Sequence, residues 1–182
     1  NLQLMPTSGA SFYIFKDGNF TEVYRKEIEP DLREKIIYSL RESSEKLGYW
    51  EKYPYGEIIE DRYSQITYSG LGQKAPLELK LSWDPSQSKR KKIIEINKML
   101  FPGLDFRIGG SSSIDITLAG IDKSFAIYEL LKYNNITKDE IVFFGDRLEP
   151  GGNDYPVLST GIKTYPVADY NETLNILRDN FL

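Results

Sequence analysis

The sequence contains no cysteine and no histidine. Without cysteine there is no disulfide framework and no thiolate metal site, which fits a reducing compartment, and a cytoplasmic location is expected. The absence of histidine excludes Ser-His-Asp triads, zinc sites of the His-Glu-x-x-His type and imidazole general bases. Chemistry is left to carboxylates, lysine, arginine and hydroxyls, and the metal that suits this inventory is a hard, oxygen-liganded cation such as Mg²⁺. No apolar run approaches the roughly 20 residues needed to span a bilayer, and the start lacks a charged-then-apolar signal, so no membrane partner is expected. Nor is there a basic excess. With 23 Lys and Arg against 27 Asp and Glu, net −4, the chain offers no stripe able to neutralise a nucleic-acid backbone, and no nucleic-acid partner is expected.

Among 182 residues, 40% are hydrophobic and 13% aromatic, enough to bury a core in one good-sized domain or two small ones. The chain opens on Asn1 and Leu2 and has its first methionine at Met5, so it reads as starting inside a longer product.

Alternation around Asp17-Gly18 predicts a hairpin over residues 10 to 25. Leu32, Ile36, Ile37, Leu40 and Leu47 share one face of a helix that Pro30-Asp31 opens. Two strands follow, 57 to 62 and 64 to 68, before Gly70 and Gly72. Asp84-Pro85-Ser86 opens a helix to Leu100 with Ile93, Ile94, Ile96 and Met99 as its apolar stripe. Its basic run, Lys89 to Lys92, reads as a solvated face, with phosphate binding as the alternative. Strands at 104 to 108 and 114 to 118 flank the small polar loop Gly109-Gly110-Ser111-Ser112-Ser113. Beyond it come a helix from Asp122 to Asn134, a buried parallel strand Ile141-Val142-Phe143-Phe144, a strand 162 to 167 and a terminal helix 170 to 181.

The last third therefore alternates helix and strand, the mark of a parallel sheet with helices on its faces, whereas residues 27 to 117 group as α+β. The expected class is α/β, in two parts.

The stretch richest in chemistry runs from Phe144-Gly145-Asp146 through Gly151-Gly152-Asn153-Asp154. A carboxylate just past the carboxyl end of a buried parallel strand stands where open α/β sheets bind ligands, and a glycine-rich loop lets a second acidic pair approach it. Asp146, Asn153 and Asp154 can supply or orient oxygen ligands for Mg²⁺. The structural alternative is that Asp146 caps a turn and Asn153-Asp154 begins a helix. Upstream, Lys123 in Gly120-Ile121-Asp122-Lys123 stands at a strand-to-helix junction, where a lysine and backbone N–H groups can face one anion. Ordinary surface lysine is the other reading.

Taken together, Lys123, Gly145-Asp146 and Asn153-Asp154 resemble the third and fourth motifs of the haloacid dehalogenase superfamily. The form Phe-Phe-Gly-Asp-x-x-x-x-Gly-Gly-Asn-Asp, and Ile108-Gly-Gly-Ser-Ser-Ser-Ile-Asp115 before it, is similar to the phosphomannomutase branch of its type IIB subfamily, from about Met5 to the C terminus. The resemblance implies a partial Rossmann-like core, residues 1–26 and 118–182, and an inserted α+β cap, residues 27–117. It implies Mg²⁺-dependent phosphoryl transfer on a phosphosugar through an aspartyl phosphate. Lys123 is then the phosphate-binding lysine, Asp146 the metal carboxylate, and Asn153 and Asp154 belong to the loop that completes the metal site. On the cap, Arg62 matches a substrate-contacting arginine, and Ser113 and Asp115 match sugar-binding residues. A further family arginine falls near Gln73, beside Lys74, and a mutase must hold a phosphate at both ends of its sugar.

The family's Asp-x-Asp, whose first aspartate is the nucleophile, occurs nowhere in these residues. The expectation is that a segment carrying it is missing and that this chain alone is inactive. Exposed core strands would then invite a homo-oligomer or association with that segment. Three readings stand: a phosphosugar phosphatase or phosphomannomutase when complete, a catalytically silent sugar-phosphate binding module, and a structural α/β domain.

Overall fold

The computed structural model describes residues 2 to 181 and divides into two compact units, Asn1–Gly120 and Ile121–Leu182. In the first, β2 (Ser11–Lys16) and β3 (Asn19–Arg25) form the expected hairpin, and Asp17 and Gly18 both take positive φ, as its two-residue turn requires. A two-residue strand, β1 (Gln3–Leu4), pairs antiparallel with β2; it is too short to leave a periodic signal. Residues 1–26, expected in the core, fall in this first unit, where the Ile28 amide donates to the Tyr63 carbonyl at 2.9 Å and Phe12 is wholly buried.

Helix α1 (Pro30–Lys46) follows its apolar spacing, with Ile36 and Leu40 fully buried. It ends as a glycine-terminated helix does: Gly48 sits at φ +71, and the amides of Gly48 and Tyr49 donate to the carbonyls of Glu45 and Ser44. Strands β4 (Ile59–Asp61), β5 (Gln65–Ser69), β6 (Leu104–Gly109) and β7 (Ser113–Leu118) form an antiparallel sheet in the order β4-β5-β7-β6. Period-two alternation gives this sheet two different faces. Ile66, Tyr68, Ile114 and Ile116 join Ile36, Leu40 and Ile93 in the apolar core, each contributing about 1.5–3 kcal/mol by burial. Gln65, Thr67, Asp115, Thr117 and Arg107 stand on the other face.

Two expectations need correction here. A short helix, α2 (Leu77–Trp83), occupies residues given no element by the sequence, because Leu77, Leu79 and Leu81 recur at period two, the spacing of a strand. Helix α3 starts at Ser88 rather than Asp84, and its buried stripe is Arg90, Ile93 and Asn97, while Ile96 and Met99 are exposed. Lys91 and Lys92 are solvated as expected, but Arg90 turns inward.

In the second unit, α4 (Lys123–Asn134), β8 (Val142–Gly145), β9 (Lys163–Pro166) and α5 (Tyr170–Asn180) follow the expected alternation, and β8 and β9 pair in parallel. Ile127, Leu131, Val157 and Ile162 form its core. The class is the expected α/β. No helix among the described residues is long and apolar enough to cross a membrane.

Candidate active site

The parallel strand β8 ends at Gly145, so Asp146 emerges at its carboxyl end, exposed. Asp122 caps α4, accepting from the amides of Ser124 and Phe125 at 2.8 and 3.2 Å, and so sets Lys123 as the helix's first residue. That capping carboxylate engages two of the amides at this junction, where N–H groups facing an anion were expected. From Lys123 the ammonium reaches Asp154, whose Oδ1 accepts its hydrogen bond. Asp154 is wholly buried, and its Oδ2 accepts the Arg147 amide at 3.1 Å.

Two glycines allow the close packing here, Gly145 against this carboxylate and Gly152 against Arg147. A side chain on Gly145 would begin 2.7 Å from Asp154 Oδ2, and one on Gly152 would begin 2.0 Å from the Arg147 carbonyl oxygen. Lys123, Asp146 and Asp154 line one cleft of about 240 Å³, together with Asp169, Tyr170 and Thr173 at the start of α5. Asn153 is exposed and does not line it. Of the four residues singled out here, the fold thus gathers three. Asp154 serves as the anchor of Lys123 and Arg147 through both its oxygens, rather than as an open ligand.

The donor set bears on the metal. Among the described residues no group of three or more acidic side chains could hold an ion by itself. Mg²⁺ does not need one: it keeps several waters and takes one or two carboxylates plus phosphate oxygens. Asp146, exposed in the cleft, fits that demand, with Asp154 as the buried residue behind it.

The polar sheet face of the first unit collects the other candidates. Asp115 on β7 accepts at Oδ1 from Thr67 Oγ1 (2.8 Å) and Gln65 Nε2 (3.0 Å), both on β5. Burial pushes the Asp115 carboxyl above its ordinary value, against the opposing pull of the Thr67 hydrogen bond and the charges of Arg62 and Arg107. Ser113 lies two residues away on the same face. Arg62, beyond the end of β4, is exposed and ion-paired with Glu60 at 2.7 Å. Gln73 keeps its Nε2 buried with no hydrogen-bond partner among the described residues.

Gln65, Thr67 and Arg107 were missed by the sequence reading. Their signal was present: in Gln65-Ile-Thr-Tyr-Ser69, Ser113-Ile-Asp-Ile-Thr117 and Asp105-Phe-Arg-Ile-Gly109 each alternate residue is polar or glycine.

Residues 29–182 match the sequence profile of a family described as eukaryotic phosphomannomutase. The chain belongs to this family. It is 33% identical over 135 residues to a phosphomannomutase of Saccharomyces cerevisiae, covering 69% of this chain and 51% of the yeast protein. To phosphomannomutase 1 of Homo sapiens it is 32% identical over 109 residues, covering 57% of this chain and 40% of the human one. The chain thus spans about half, or less, of the length of these relatives. In fold it is similar to an IMP-bound, N-terminally truncated IMP-nucleotidase of Plasmodium falciparum, with a TM-score of 0.63, 16% identity, and coverage of 97% of this chain and 47% of that one. The phosphomannomutase family and this fold place the chain in the haloacid dehalogenase superfamily.

Proposed function

We propose that these residues are the cap, residues 27–117, and a core portion of a phosphosugar-processing phosphoryl-transfer enzyme. The observation that carries the reading is the Lys123–Asp154 pair beside Asp146 at the carboxyl end of a parallel strand, in a chain of the phosphomannomutase family. Asp154, buried and twice hydrogen-bonded, holds the Lys123 ammonium, which grips a phosphate oxygen and offsets the charge that develops there. Asp146 would hold Mg²⁺, with Asn153 supporting the loop; when bound, the ion polarises the phosphoryl oxygens. On the cap, Arg62 presents a guanidinium suited to phosphate, and Asp115 and Ser113 suit sugar hydroxyls. Gln73 stands where the family has a further arginine, which favours a phosphatase over a mutase.

The 182 residues contain no Asp-x-Asp, so the carboxylate that accepts the phosphoryl group is not one of that motif here. Asp146 is a poor substitute, since a metal-bound carboxylate is badly placed for in-line attack. A second reading, sugar-phosphate binding without turnover, is supported by the cap sheet alone, where Asp115 is held by Thr67 and Gln65. Phosphate release from hexose phosphates, with and without Mg²⁺, separates the two. The 182-residue chain is expected to release none, whereas the same chain joined to an Asp-x-Asp-bearing first core strand of a phosphomannomutase releases it only with Mg²⁺, and Asp146→Asn abolishes that. Comparable turnover by the 182-residue chain would overturn the mechanism; binding by both chains with turnover by neither would establish the second reading.

A further inference from the structure

Arg90 is a basic side chain in a run whose Lys91 and Lys92 are exposed and whose Lys89 is half-buried over the Trp83 ring, yet Arg90 is 2% exposed, as is Asp84. Asp84 accepts from the Lys89 and Arg90 amides, each at 3.1 Å, and so caps α3, whose preceding residue Gln87 makes no side-chain cap. Burial alone would push the Asp84 carboxyl up, but those two amides and the guanidinium hold it below the usual range. The guanidinium does more than neutralise Asp84. Its Nε donates to Asp84 Oδ2 at 3.0 Å and Nη2 to the Asp84 carbonyl at 3.1 Å, while Nη1 donates to the carbonyls of Gly109 and Gly110 at 3.3 and 3.2 Å.

Those two carbonyls belong to the turn between β6 and β7. Gly109 closes the register opposite Ser113, and Arg107 stands opposite Asp115. Gly109 also packs against the carboxylate: a side chain there would begin 2.4 Å from Asp115 Oδ2. On its far side the turn is tied once more, by the Gly70 amide donating to the Ser112 carbonyl at 3.1 Å. The turn therefore sits between α3 and the segment after β5, and its position sets one wall of the Asp115 carboxylate.

We infer that Arg90 is a positioning residue: it fixes the Gly109–Ser113 turn from beneath and through it the Asp115 carboxylate, and so tunes sugar recognition on this sheet face. The last clause rests on the functional reading above. Stability is a weak explanation for the pair, because desolvating two charges offsets much of their attraction. Geometry explains it better, since a planar fork can address one carboxylate and three carbonyls together, as a lysine ammonium cannot.

The test compares the wild-type chain with Arg90→Lys, which keeps the charge and loses the fork, and with Ile93→Val, which thins the apolar core on the same helix. Three quantities are read: hydrogen exchange of the amides from Gly109 to Ser113, the NMR titration midpoint of the Asp115 carboxyl, and affinity for mannose 6-phosphate. Arg90→Lys is expected to speed exchange in the turn about tenfold, to move the Asp115 midpoint down toward the ordinary carboxylate value, and to weaken affinity about tenfold. Ile93→Val should lower thermal stability and leave all three unchanged. The inference is overturned if Ile93→Val moves the turn as much as Arg90→Lys does, if Arg90→Lys melts earlier without altering exchange or the midpoint, or if it fails to fold. Should the wild-type chain bind no mannose 6-phosphate, the functional reading falls with the clause that depends on it, while exchange and the midpoint still decide whether Arg90 holds the turn.

Discussion

Lys123 and Asp154, 31 residues apart in the chain, meet in a hydrogen-bonded ion pair in which the carboxylate is wholly buried and the lysine side chain is 33% exposed. The lysine ammonium thus lies in the cleft and is held there by a fixed anion. Such a pair is asymmetric: removing the cation strands a buried charge, whereas removing the carboxylate frees a lysine that can reach water.

Lys123→Ala is expected to destabilise the second unit by about 1–3 kcal/mol, less than for a fully buried pair because the lysine is partly solvated. Chemical denaturation measures this. A loss below about 0.5 kcal/mol would put the pair on a level with surface ion pairs and remove the anchoring role of Asp154.

Gly152→Ala should cost about 1–3 kcal/mol or more, since the new carbon would meet the Arg147 carbonyl, a backbone atom that cannot swing aside. Gly151→Ala meets nothing within 4 Å and is strained only by its φ of +88, so about 1 kcal/mol is expected. Equal losses in urea melts of the two variants would contradict close packing of this loop against Arg147.

Asp146 is exposed, so Asp146→Asn should change folding stability by no more than about 0.5 kcal/mol while abolishing Mg²⁺-dependent turnover of the joined chain. A variant that unfolds early would instead make Asp146 a structural cap.

Asp115 carries a sign. Its folded-state carboxyl value is raised, chiefly by burial, so its contribution to stability is fully present below the unfolded value and is lost as pH rises through the folded one. Asparagine can keep the Thr67 and Gln65 hydrogen bonds without the charge. Asp115→Asn should therefore gain melting temperature relative to wild type as pH rises from about 3 toward 7, with most of the gain just above the ordinary aspartate value of about 3.9. A difference that is flat across this range, or that shrinks with rising pH, would contradict the burial argument.

Helix α1, the hairpin at Asp17-Gly18 and the alternation from α4 to α5 were legible because each rests on local signals: apolar period, turn residues and flanking prolines. The placement of Lys123 at a helix start and of Asp146 past a strand end was legible too, since these ends are marked by the Asp122 cap and by glycine. Asn153 and Asp154, adjacent in sequence, could not be told apart. One points out to solvent and the other is buried against Lys123, a difference set by the path of the Gly151-Gly152 loop and by the pairing of β8 with β9.

Arg90 shows the same divide. Local pattern placed it in a basic run on a helix, and nothing local distinguished it from Lys91 and Lys92. Its inward turn depends on Asp84 ahead of the helix and on two carbonyls about 20 residues downstream, delivered by the pairing of β6 with β7. Periodicity and composition were enough for most of the helices and strands, though not for β1 or α2, and for a chemical inventory from which cysteine and histidine are absent. Which polar side chain anchors, which stays open and which supports another was decided only in the tertiary structure, because burial and hydrogen-bond partners come from residues distant in the chain.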